Sequence, residues 1–225
     1  MNRMRPWVGV CTVALVLAAG TPGSAGGGVT FDSDKERNPL RADVTVRLVN
    51  RSNESLRITA PGKIVDKRTG KKMVTLGVGD RSVPPGAEEV WVWDRPGVAG
   101  RYRAVIETSR GKLRDTFDIG RYFTLGFDSN DASFVVWVNR GSDVEEMTAE
   151  VDRPQDERQI VSGIVRRKER YNRPWSYTMG PASIVLGDAF IEACDANPNY
   201  VEENVDSWRG ERWCPWSSYV ERVGR

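Results

Sequence analysis

Two cysteines and a run of carboxylates near the C-terminus are the side chains best equipped for chemistry. Cys194 and Cys214 enclose or adjoin Glu192, Asp195, Glu202, Glu203 and Asp206. Two carboxylates can serve as acid and base in glycoside hydrolysis, and a set such as Glu192, Asp195 and Glu202 can hold calcium with backbone oxygens. The chain contains no histidine. That excludes Ser-His-Asp and Cys-His catalysis and removes the commonest zinc ligand. Two thiolates without histidine make a poor zinc set, so the cysteines are read as one disulfide, as two cysteines in an oxidising compartment would form. Closing a loop of about twenty residues stabilises by roughly 3 kcal/mol in the chain-entropy model. Glu202, Glu203 and Asp206 fall in the first turns of an expected helix, where acids favour the dipole without catalytic purpose. The expectation is therefore no catalytic residue, no metal and no cofactor. A hydrolase built on carboxylates near Glu192 and Asp195 is the competing reading.

Other clusters lead to binding rather than catalysis. Asp128-Ser129-Asn130-Asp131 is calcium-like in composition, but it lacks the glycine and distal glutamate of an EF-hand and reads as a hairpin turn. Arg166-Arg167-Lys168-Glu169-Arg170 beside Tyr171 and Trp175 is basic and aromatic, yet Pro174 and strand-like flanks argue against a calmodulin-type amphipathic helix, leaving a solvated turn. Trp208, Trp213 and Trp216 gather around the second cysteine. Tryptophan beside a disulfide usually packs into a core. The polar spacers Arg209 to Arg212 and Ser217-Ser218 leave room for exposed rings, and exposed tryptophan and arginine are enriched at binding hot spots. The expected contact surface is Trp213, Trp216, Arg209 and Arg212.

These residues need elements to position them. The first 25 residues read as a signal peptide, with Arg3 and Arg5 as the basic region, Trp7–Gly20 as the apolar stretch and small residues to Ala25. That stretch is too short to span a bilayer, and the residues before Cys11 do not fit a lipid-anchor site. Loss of Arg3 and Arg5 takes the 33 basic residues to 31, equal to the 31 acidic ones. A neutral mature chain carries no global signal for nucleic acid. Residues 26–39 are polar and glycine-rich, a flexible leader.

From Leu40 the pattern alternates with period two. Val44, Val46 and Leu48 point one way in DVTVRLVN. SLRIT, KIVDKR, KMVTL, EEVWVW, RYRAVIET and LRDTFDI follow, separated by turn signals at Asn53, Pro61-Gly62, Thr69-Gly70, Pro84-Pro85-Gly86, Pro96-Gly97 and Gly111. Regular short strands of this kind predict a β-sandwich over residues 40–119. Trp91 and Trp93 alternate on one strand face, either as a sugar- or peptide-binding stripe or as core. The run from Val83 to Glu107 resembles the late hairpin of bacterial immunoglobulin-like accessory modules, including the proteinase-inhibitor type. That resemblance implies an immunoglobulin-like fold and, as a third functional alternative, a secreted peptidase inhibitor.

Beyond Ile119-Gly120-Arg121 the texture changes. YFTLGF and SFVVWVN are strands, Ser142 and Glu145 form a capping-box pattern for a helix to about Val151, and IVSGIV and WSYTM are further strands. Ile184 to Cys194 is strand-like. Asn197-Pro198 opens a second helix through YVEENVDSW, asparagine as cap and proline at the first helical position. The residues Tyr171-Asn172 with Pro174-Trp175-Ser176, Cys194-Asp195-Ala196, Tyr200-Val201-Glu202 and Trp213-Cys214-Pro215-Trp216-Ser217-Ser218 occur in order. In them the stretch from Arg121 to Val223 resembles the N-terminal module of a family named after a calmodulin-binding protein. The family has a histidine where this chain has Thr178, and a longer glycine-rich stretch where this chain has Arg209-Gly210-Glu211-Arg212. The resemblance implies an α+β interaction module at 121–225 without a catalytic set. Calmodulin enters only through the family name, since an exported protein would not meet it. Together the readings describe a secreted, non-enzymatic two-domain protein that binds an extracellular protein or other ligand, with neither nucleic acid nor, after signal cleavage, membrane as its partner.

Overall fold

The computed structural model describes residues 14–16, 28–77, 79–128, 130–167 and 170–224. The chain divides into two compact units, Met1–Ile119 and Gly120–Arg225. Both are built mainly from β-strands. Apart from Ala14–Val16, the expected signal peptide lies outside the described residues, as do the leader's residues before Gly28.

The first unit contains β1 (Ala14–Val16), β2 (Val29–Ser33), β3 (Arg37–Pro39), β4 (Val44–Asn50), β5 (Leu56–Asp66), β6 (Lys72–Leu76), β7 (Arg81–Val83), β8 (Glu88–Trp93) and β9 (Gly100–Thr108). The opening part of β10 (Gly111–Phe127) completes it. One antiparallel sheet has the order β1-β8-β4-β2. In the other, β5 is flanked by β6 and β9, β7 extends it, and β10 pairs with β9. Alternation explains the core: Val44, Val46 and Leu48 of β4 meet Ile58, Ile64, Tyr102, Ala104, Ile106, Phe117 and Ile119 from the second sheet in one buried cluster. Trp91 belongs to that core, and Trp93 packs edge-on against Tyr102 with ring centroids 5.1 Å apart. Neither ring forms an exposed stripe.

Two expected turns are absent. The sequence places a strand break at Pro61-Gly62, but β5 runs through it. Register shifts between Ile58 and Lys63 absorb the proline, which cannot donate to a ladder and survives at such a bulge. Ile119-Gly120 likewise lies inside the single strand β10. Gly120 has no alternative there, because a Cβ would collide with the Val138 carbonyl.

In the second unit the latter part of β10 pairs with β11 (Asn130–Val138) and, on its other edge, with the C-terminal strand. After α1 (Gly141–Glu150) comes β12 (Ile160–Arg167), which carries three short partners: β13 (Tyr177–Met179), β14 (Val185–Gly187) and β15 (Arg212–Trp213). α2 (Pro198–Glu203) and α3 (Val205–Trp208) precede β15, and β16 (Ser218–Val223) ends the chain. No described helix is long and apolar enough to cross a membrane.

Local chemistry sets the helix ends. The Asn197 side chain accepts from the Tyr200 amide, with Pro198 in the first turn, as the sequence pattern predicts. The capping box does not form: α1 is preceded by Arg140, and Ser142 Oγ instead donates to Asp143. The second helix breaks at Asn204, whose side-chain amide donates to the Tyr200 carbonyl. Between Ile184 and Cys194 only Val185–Gly187 is strand, and Glu192–Cys194 forms a 3-10 turn.

Candidate binding surface around the disulfide

Cys194 and Cys214 are joined as a disulfide with their Cα atoms 5.3 Å apart, and the Cys214 amide donates to the Cys194 carbonyl at 2.9 Å. The bond ties the 3-10 turn to the segment after β15, and the same two stretches of chain carry the aromatic cluster. Trp213 stands at its inner end. It is fully buried, its ring centroid lies 4.9 Å from Phe134 and 5.4 Å from Tyr177, and its indole N–H donates to the Ala196 carbonyl at 2.8 Å. Trp213 is thus a core residue, and the expectation that it forms contact surface is corrected. The alternation along β15 decides this, with Trp213 inward and Arg212 only partly covered.

The outer side of the same segment is different. Trp216 is 46% exposed and Ile191 is 73% exposed. Ile191, Ala193 and Cys194 line one side of a cavity of about 350 Å³, and Ser207, Trp208, Glu211 and Arg212 line the other. Arg212 is held in place, donating to Ser162 Oγ at 2.6 Å, while Arg209 is exposed on the turn above. Trp208 and Arg212 are legible from the sequence. Ile191, Ala193, Ser207 and Glu211 are not, because an isoleucine in an apolar run gives no sign that it faces solvent.

The carboxylates do not converge. Asp195 Oδ1 accepts from the Trp216 amide at 2.9 Å, and Glu202 Oε2 accepts from the Ser176 amide at 2.8 Å. Glu192 is exposed in the 3-10 turn, and Asp206 pairs with Arg167 at 3.1 Å. Among the described residues no three acids or cysteines group to hold a metal. The set Glu192, Asp195 and Glu202 is therefore not assembled as a calcium site, because two of its members hold backbone amides in place.

Asn172 is a structural residue whose role the sequence does not single out. It is buried, its Oδ1 accepts from the Val135 amide at 2.6 Å, and its Nδ2 donates to the Tyr177 carbonyl at 2.8 Å. It joins the Tyr-Asn-Arg-Pro-Trp loop to β11 and β13, while the Trp175 indole donates to the Ser133 carbonyl at 2.7 Å. Thr178, at the family's histidine position, is buried with its hydroxyl 2.7 Å from that of Tyr171. An uncharged hydroxyl pair fills that place without introducing a titratable ring. Tyr177 donates to the Pro198 carbonyl at 3.0 Å, and burial pushes its phenol well above the ordinary range.

No curated protein matches the chain. Residues 120–225, the whole of the second unit, match the family model described as the BP-74 N-terminal domain, in keeping with the calmodulin-binding-protein-type module that the motifs of this stretch resemble.

Proposed function

We propose that this is a secreted, non-enzymatic binding protein whose second unit engages an extracellular protein through the surface around Cys194–Cys214. The observation that carries the reading is the concave, disulfide-backed groove flanked by the exposed Ile191 and Trp216. A cross-linked base has little freedom left to lose on association, and a rigid aromatic ring beside an arginine is the composition of a binding hot spot. The disulfide accords with an oxidising compartment. The first unit, with two antiparallel sheets around one core, is read as an immunoglobulin-like sandwich that serves as a spacer or second contact module. The acids next to the groove hold backbone amides, which favours binding over hydrolysis.

The test compares capture by the protein and by its Ile191→Ser/Trp216→Ala variant from the culture medium of its own source. A partner retained by the former and lost at least about tenfold by the latter, with thermal melts unchanged, supports the reading. Equal capture by both overturns it.

A further inference from the structure

The outer face of the sheet containing β5, β6, β9 and β10 segregates positive charge. In β9 the core takes Tyr102, Ala104 and Ile106, so Arg101, Arg103, Val105 and Glu107 stand on the opposite face. The antiparallel register sets their neighbours. Arg103 lies between Val65 and Thr116, and Val65 in turn is opposite Lys72. Val105 lies between Lys63 and Arg114, and Glu107 is opposite Lys112. The face thus presents Lys63, Lys72, Arg101, Arg103, Lys112 and Arg114 against only Glu107 and Asp118.

Both acids are already engaged, Glu107 with Lys112 at 2.7 Å and Asp118 with Arg101 at 3.6 Å. Lys63 adds a weaker attraction to Glu107. Lys63, Lys72, Arg103 and Arg114 form no ion pair with a described carboxylate. Elsewhere in the first unit arginines are matched, as in Arg47–Glu88, Arg81–Glu89 and Arg110–Glu54. A protein with a formal net charge of only +2 therefore gathers four unmatched cations on one flat face. Strands about 4.8 Å apart and a two-residue step of about 6.8 Å place each of these four groups within roughly 10 Å of the next, close to a Debye length at physiological salt. Their potentials add rather than being screened apart.

We propose that this face binds a linear acidic polysaccharide, a polymer of carboxylated or sulfated sugars. The rows of the face also carry Val65, Val105, Thr75 and Thr116 and no aromatic ring, so the stacking platform that single-stranded nucleic acid needs is missing. A flat sheet also offers no element to enter a duplex groove. A flexible chain with an acid on each sugar needs neither, only cations at a regular spacing and threonine hydroxyls between them. The site is independent of the disulfide surface and lies in the other unit.

Titration with polygalacturonate tests this, using its neutral methyl ester, and duplex DNA at equal charge concentration, as comparisons. Arg103→Gln/Arg114→Gln should weaken polygalacturonate binding at least about tenfold. Arg95→Gln/Arg222→Gln, which removes the same net charge elsewhere, should change it less than about twofold. These side chains are wholly or partly exposed and the melts should be unchanged. Absence of saturable binding to polygalacturonate, equal losses in the two variants, equal binding of the ester, or equally tight binding of DNA overturns the proposal.

Discussion

Replacing Trp213 and Trp216 one at a time separates core from surface within four residues of chain. Trp213→Ala removes a fully buried indole packed against Phe134, Tyr177 and Phe127. Large-to-small substitution of a buried tryptophan costs about 3–5 kcal/mol. The Ala196 carbonyl also loses its indole donor. A unit of this size has a total stability on the order of 5–15 kcal/mol. At about 4–8 °C for each kcal/mol, the transition of the second unit should fall by at least about 12 °C. Trp216→Ala truncates a ring that is 46% exposed, so a change within about 1 kcal/mol is expected. Thermal unfolding followed by near-ultraviolet circular dichroism reads both, because the near-ultraviolet signal reports tryptophan packing. A Trp213→Ala melt within about 4 °C of the parent would refute the assignment of Trp213 to the core. A Trp216→Ala melt lowered as far as that of Trp213→Ala would refute the assignment of Trp216 to the surface.

Three further outcomes follow from particular contacts. Thiol labelling of denatured, unreduced protein from an oxidising host should find neither Cys194 nor Cys214 free, and Cys214→Ser should lower stability by about 3 kcal/mol. Asn172→Ala leaves the buried Val135 amide without its acceptor, so chemical denaturation should show a loss of about 2–3 kcal/mol. Burial raises the Glu89 carboxyl above its ordinary value of 4.5, with the Arg81 charge opposing the shift. A raised folded pKa means that Glu89's contribution to stability is present below the unfolded value and is lost as pH rises through the folded value. The stability difference between the parent and Glu89→Gln should therefore shift against the parent as pH rises from about 4 towards neutrality, and a pH-independent difference would contradict this.

Much of the local structure was legible because local physics decides it. The alternation in DVTVRLVN became β4 with its valines and leucine buried, and Asn197-Pro198 capped α2 as that dipeptide should. The lack of histidine restricted the chemistry before any fold was known. Other features depended on neighbours distant in sequence. Pro61-Gly62 reads as a turn by itself, yet pairing with β9 across shifted registers carries β5 through it. Ser142 and Glu145 have the spacing of a capping box, but Ser142 bonds to the adjacent aspartate. Trp213 and Trp216 are indistinguishable as residue types. Only pairing of β12 with β15 places the first under Phe134 and Tyr177, while the Asp195 side chain holds the backbone amide of the second. The clustered acids show the same division: sequence placed them near one another, and tertiary structure assigned each a different partner. Residue type sets what a side chain can do. Burial and available partners set what it does, and both arise from contacts between residues far apart in the chain.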